Sequence, residues 1–395
     1  MSRHALVVAL ASLSLAGAVR WSLPCRAAEP AKPVLDPQLP YQARRSNPVT
    51  YDVDFAVTVT APYQTKVLKV WLPLPQSDAG QEVSEGEIST FPLRVTPRVS
   101  KETVFGNTFA YFEFHHPEGA QIIRHKFKVK VWELRWDVDP ARVARVGHWP
   151  TAFDPYLKGD RSVVVDDRVR RLAGEIVSKR GQPAGDMAAI MAWVNGHMTY
   201  NHAAASLRAS ATHALEERTG HCSDYHGLCA AFGRALGSPT RITYGINPFP
   251  KSSPSHCKLE AYLPPYGWVS FDVSETQHLV EGIKKNVDIP QKQREELIQV
   301  ANERLRRGFR DNTWFLQTRG TDYELAPPAR QRAPVVRTIY AEADGEALPE
   351  PDPANPHKRE FAWMTSHLFK ADKMVRDPFK DWKSLLDVTH KGKLP

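Results

Sequence analysis

The chain has 395 residues, of which 42% are hydrophobic and 24% charged, and a formal net charge of +8. That length can hold two domain cores, and that balance of apolar and charged residues excludes a disordered or collagen-like chain. The basic excess is too mild for strong long-range steering in physiological salt. No interleaved aromatic pattern or recognition motif accompanies it, so a nucleic-acid partner is not expected.

Residues 1–28 read as an export signal: Arg3 and His4 give a basic start, 5–19 are apolar, and Ala27-Ala28 offer small residues for cleavage. The predicted location is therefore periplasmic or secreted. The apolar run is short for a membrane span, and no long apolar stretch follows. No stable span is expected after signal removal, a retained N-terminal anchor being the alternative. Residues 1–28 hold Arg3, Arg20 and Arg26 and no acid, so their loss takes the net charge from +8 to +5 (8 − 3). Cys222, Cys229 and Cys257 then remain, an odd number that leaves at least one free thiol. Cys229 shares a helix face with Cys222, and Cys257 is expected on the opposite side of its strand from His256, so no Cys229–Cys257 bridge is predicted.

Residues 29–48 are an extended, Pro-rich linker. From 49 to 136 the pattern is that of an antiparallel β-sandwich: Tyr51, Val53, Phe55, Val57 and Val59 alternate, as do Leu68, Val70 and Leu72, then Phe127, Val129 and Val131. Lys126, Lys128 and Lys130 are expected to form its solvated face, a binding patch being the alternative. A connector spans 137–160. Helical spacing follows at 165–180 and 187–198, and a further helix runs to 236 from near Cys222. Strands at 258–263 and 268–273 flank the turn Pro264-Pro265-Tyr266-Gly267. Residues 290–310 are helical, with Arg304, Arg306, Arg307 and Arg310 forming an exposed basic end or, alternatively, a clamp for an acidic group. Segments 314–319, 323–325 and 335–342 read as strands completing the sheet. The last part, 346–395, is a Pro-rich linker and basic tail with helical signal at 363–374 and 382–388 and no assigned role.

The chemistry centres on Gly220-His221-Cys222-Ser223-Asp224-Tyr225-His226, on Ser255-His256-Cys257, and on Asp272. A cysteine at a helix start meets unpaired backbone N–H groups and the positive end of the macrodipole, which favour its thiolate. A hairpin sets His256 beside Asp272. Asp272 is expected to accept the Nδ1 proton, leaving Nε2 for the sulfur. Cys222, His256 and Asp272 are thus the candidate nucleophile, base and orienting group, with no metal or organic cofactor required. A rival metal site would draw on Cys222, His226 and Cys229 with His256 or Cys257. Asp224 and His226 are expected to be helix-start and packing residues, Glu260 a satisfied strand residue, and Tyr200 either core or site-lining.

Gly220 to Leu228, with Arg234-Ala235-Leu236-Gly237-Ser238-Pro239-Thr240-Arg241, resembles the core of bacterial transglutaminase-like proteins. In that superfamily a cysteine at a helix start is followed by a His, a Glu four residues later, a Gly-Trp pair and an Asp. This chain supplies Cys222, His256, Glu260, Gly267-Trp268 and Asp272. It departs from the pattern at Lys258, where many relatives carry Trp, and at Val273, where Pro is common. The resemblance implies an α+β, papain-like catalytic domain at 161–345 and thiol-mediated acyl transfer. The expected activity is that of a peptidase or amidase acting on a protein, peptide or cell-envelope amide. The alternatives are a protein-glutamine transglutaminase and a non-catalytic binding module.

Overall fold

Alternating apolar residues build the longest strand, β1 (Arg44–Thr60), whose Tyr51, Val53, Phe55, Val57 and Val59 all turn inward. Each such burial is worth about 1.5–3 kcal/mol. The computed structural model describes residues 33–84, 86–178, 180–248, 254–351 and 362–386. The expected export signal at 1–28 lies outside them. After β1 come β2 (Val67–Leu74), β3 (Thr108–His115) and β4 (Ala120–Arg135). Helices α1 (Asp167–Ile176) and α2 (Pro183–His197) lead to α3 (Cys222–Ala235). Strands β5 (Thr240–Ile246), β6 (Ser255–Tyr262) and β7 (Trp268–Phe271) follow, then helices α4 (Val273–Lys285) and α5 (Gln291–Arg307). The chain then forms strands β8 (Phe315–Arg319), β9 (Tyr340–Ala343) and β10 (Trp363–Ala371).

The fold is α+β, with antiparallel sheets. In the first sheet β1 lies between β4 and β10, and in the second β2 lies between β3 and β9. Val53, Val57, Leu68, Val70 and Phe112 fill one core between them, joined by Ile246 and Phe315 from the third sheet. Arg124 pairs across to Asp54 and Lys128 to Asp52 on the outer face, so Lys128 belongs to a solvated ladder of opposite charges.

The third sheet, ordered β7-β6-β5-β8, carries the site. Helix α3 packs on it, its Tyr225, Leu228 and Phe232 sharing a core with Ile190 of α2 and Leu259 of β6. Gly245 on β5 is needed because a Cβ there would lie 2.1 Å from the Phe315 carbonyl oxygen. The lead-in segment lies along the other end of the sheet: the Tyr41 hydroxyl donates to Glu260 at 2.6 Å, Trp268 Nε1 donates to the Pro37 carbonyl at 2.8 Å, and the Tyr262 hydroxyl donates to that of Val34 at 3.0 Å.

Three local expectations change. Residues 363–371, where helical spacing was expected, form strand β10, paired in register from Tyr51↔Ala371 to Val59↔Trp363. The open edge of β1 decides the conformation there, since strand formation depends on the neighbour more than on local propensity. Of the segments expected to complete the site's sheet, 315–319 joins it beside β5. In contrast, 340–343 pairs with β2 in the second sheet, and Tyr323 makes an isolated bridge to Ala333. The basic end of α5 is not a single exposed patch: Arg306 and Arg307 pair with Glu303, whereas Arg304 and Arg310 are buried. Arg304 donates to the Pro378 carbonyl at 3.0 Å and lies over Phe309 and Phe379; Arg310 donates to Gln81 Oε1 at 2.9 Å.

Candidate active site

The start of α3 is built by three consecutive choices in the sequence. Gly220 adopts φ +153°, and a Cβ on it would lie 2.5 Å from the Asp224 carboxylate, so only glycine lets the chain turn there. His221, in extended conformation, is the N-cap. Its backbone carbonyl accepts the Asp224 N–H at 3.0 Å, while Asp224 Oδ2 accepts the His221 N–H at 3.1 Å, closing a reciprocal cap. Cys222 follows as the first helical residue, and its fractional exposure is 8%. Asp224 is therefore the helix-start residue that its position implied.

His256 opens β6, and Asp272 lies between β7 and α4, where its side chain also caps α4 by accepting the Glu275 N–H at 3.1 Å. The structure brings the three expected residues together. His256 Nε2 lies 2.7 Å from Asp272 Oδ2, and His256 shares a hydrogen bond with Cys222. The ring is turned opposite to the expectation: Nε2 engages the carboxylate, which leaves Nδ1 for the sulfur. The reason is the direction from which the imidazole meets its partners, which strand pairing alone does not set.

The electrostatics favour an ion pair. A hydrogen bond with Cys257 is the largest influence holding the Cys222 thiol well below its usual pKa; burial opposes it, and the positive charges of His256 and His221 reinforce it. Burial pulls His256 down, but the Asp272 carboxylate and the Cys222 thiolate outweigh it and raise the imidazole to about 10. Asp272 is disfavoured as an anion by burial, yet His256 and Lys258 hold it well below the usual carboxylate range.

The other thiols differ. Cys229 and Cys257 are free, as Cys222 is, and burial pushes both up. Cys257, expected on the far side of its strand from His256, instead reaches Cys222 and lines the same cleft. His226 is a packing residue, its pKa lowered by burial to about 4. Its Nε2 accepts the Val273 N–H at 3.1 Å, so Nδ1 carries the proton that faces Cys257 Sγ at 3.4 Å. With both nitrogens engaged it is not available to a metal ion. Among the described residues no group of three or more His, Cys, Asp or Glu is arranged to hold one. Glu260 is satisfied by Arg241 at 2.7 Å and by Tyr41.

Cys222 opens into a cleft of about 370 Å³. Tyr200 lines it, which settles its place in favour of the site. Arg337 also lines it, paired with Glu350 at 2.7 Å, and so do Phe379, Lys380 and Trp382 from beyond β10. The last three come from the tail that sequence left without a role. Leu385 and Trp382 pack that tail onto Leu279 and Ile283 of α4. The signal available was two aromatic residues, Phe379 and Trp382, within an otherwise charged stretch. Asn247 and Ser255 flank the cleft, as expected of the loop before His256, whose residues 249–253 lie outside the described ones.

A cysteine at a helix start, set against a sheet that carries the histidine on one strand and the aspartate just past the end of the next, defines the class: an α+β protein with a papain-like arrangement of the site. Residues 170–273 match the model of the transglutaminase-like superfamily. Among solved structures, a candidate cysteine protease from Cytophaga hutchinsonii is similar with a TM-score of 0.57 and 14% identity, over 85% of this chain and 95% of that one. The periplasmic domain of TgpA from Pseudomonas aeruginosa is 17% identical, with a TM-score of 0.29, over 61% and 92%. No curated protein matches the chain in sequence. Among the described residues no helix is long and apolar enough to cross a membrane.

Proposed function

We propose that this protein is a thiol-dependent acyl-transfer enzyme that hydrolyses peptide or carboxamide bonds with Cys222 as nucleophile, His256 as acid and base, and Asp272 as the orienting group. The observation that carries the reading is the 2.7 Å contact of His256 with Asp272 while the same imidazole is hydrogen-bonded to Cys222 at a helix start. The Cys222 thiolate attacks the carbonyl carbon, and the C=O electron pair moves onto oxygen, where the Cys222 backbone N–H can stabilise it. Collapse of that adduct breaks the C–N bond as the His256 imidazolium protonates the departing amine. His256, now neutral, takes a proton from water, whose oxygen attacks the thioester; the C–S bond breaks, the acid leaves, and the thiolate and imidazolium are restored. An amine in place of water would give transamidation by the same steps.

A binding module with an inert thiol is disfavoured by the ionised state that the site supports. Iodoacetamide alkylation mapped by mass spectrometry tests the difference. Cys222 is expected to react selectively at mildly acidic pH, because its thiolate persists below the usual thiol pKa, and to hold its rate up to the loss of the His256 proton near pH 10. A Cys222 as slow as Cys229 at pH 6 would remove the catalytic reading. We further place the protein outside the cytoplasm, on the pattern of residues 1–28. The exported protein is expected to begin at Glu29, and N-terminal sequencing that returns Met1 would overturn this.

A further inference from the structure

Lys258 is a buried cation that the mechanism above does not use. Its Nζ donates to Asp272 Oδ2 at 2.6 Å, the same oxygen that His256 Nε2 meets at 2.7 Å. It also donates to Asp311 Oδ2 at 2.7 Å. Asp311 is fixed in turn by the backbone N–H and hydroxyl of Thr313. Trp314 and Phe379 close over the ammonium at 5.3 Å each, and the Lys258 side chain is 1% exposed. The other Asp272 oxygen is occupied by the Glu275 N–H. Every direction in which that carboxylate could swing is therefore held.

From this geometry we infer that Lys258 is a positioning residue, which pins Asp272 against His256 and, in balance with Asp311, sets how much of the carboxylate's charge the imidazole feels. The inference rests on the catalytic reading of Cys222, His256 and Asp272. Two cations share one oxygen, so the lysine opposes the imidazolium; Asp311 draws the lysine's charge the other way. Removing the lysine leaves Asp272 wholly to His256, and removing the Asp311 charge leaves the lysine wholly on Asp272. Those changes move the histidine in opposite directions. The other groups facing His256 stay in place: Cys222 and His226 from α3, Cys257 on its own strand, and Tyr200, Glu275 and Arg337 around the cleft.

The test compares the alkaline limb of Cys222 alkylation by iodoacetamide in the wild type, in Asp311→Asn and in the double variant Lys258→Met/Asp311→Asn. The double variant removes one charge of each sign, so no buried carboxylate is stranded beside an apolar chain. The limb is expected to move up by about one pH unit in the double variant and down by a similar amount in Asp311→Asn. A buried ion pair that served stability alone would lower the melting temperature and leave both limbs unmoved, and that result overturns the inference. Shifts of the same sign overturn it too, as does loss of folding in both variants, which gives the cluster to stability. If the wild type itself lacks an acid-reactive Cys222, it is the proposed function that fails.

Discussion

Cys222→Ala is expected to lower kcat by at least about four orders of magnitude with the fold intact. No other thiol is poised to replace it: burial pushes up Cys229, and burial, which the substitution leaves in place, is also the largest influence raising Cys257. The fold should survive because Gly220, His221 and Asp224, rather than the thiol, form the start of α3. Alanine also suits a first helical turn. The measurement pairs turnover of an amide substrate with near-ultraviolet circular dichroism. Equal loss of activity and tertiary signal would make Cys222 a structural thiol.

Asp272→Asn is expected to reduce kcat by about 10²- to 10⁴-fold. The carboxylate helps raise His256 to about 10, so without it the imidazole is less basic, the shared proton returns to the sulfur, and less of Cys222 is thiolate at neutral and mildly acidic pH. The sign follows for alkylation as well: the reaction at mildly acidic pH slows, because Cys222 must now give up its proton without a charged partner. Asparagine is itself a good N-cap, so α4 keeps its start. Lys258 loses one of its two anions, which makes a moderate fall in melting temperature part of the expectation. Steady-state rates across pH check the result, and an unchanged rate would remove Asp272 from the triad.

How far the sequence revealed this site follows from the range of the interactions involved. Cys222 was legible because its helix start is encoded within five residues, by a glycine, a cap and a reciprocal carboxylate. His256 and Asp272 were legible because they belong to one hairpin and its exit. The orientation of the imidazole was not, since it depends on how α3 meets that hairpin. Lys258 stood out as a departure from the resembled pattern, but its meaning needed Asp311, which lies beyond two intervening helices. Phe379 and Trp382 became cleft residues only through tertiary docking. The same limit explains β10: nothing local in 363–371 announces the free edge of β1 with which it pairs.

That last pairing bears on how the molecule is made. Strand β1 near one end of the chain finds a partner at Trp363–Ala371, more than three hundred residues later by number. A polypeptide leaving the ribosome in order keeps one side of β1 unsatisfied until that late segment has emerged, and sheet contacts of such long separation form slowly. Until then the exposed edge can template pairing with other chains. Biosynthesis therefore poses a hazard that the finished molecule conceals, and a nascent chain halted before residue 363 would be the aggregation-prone form.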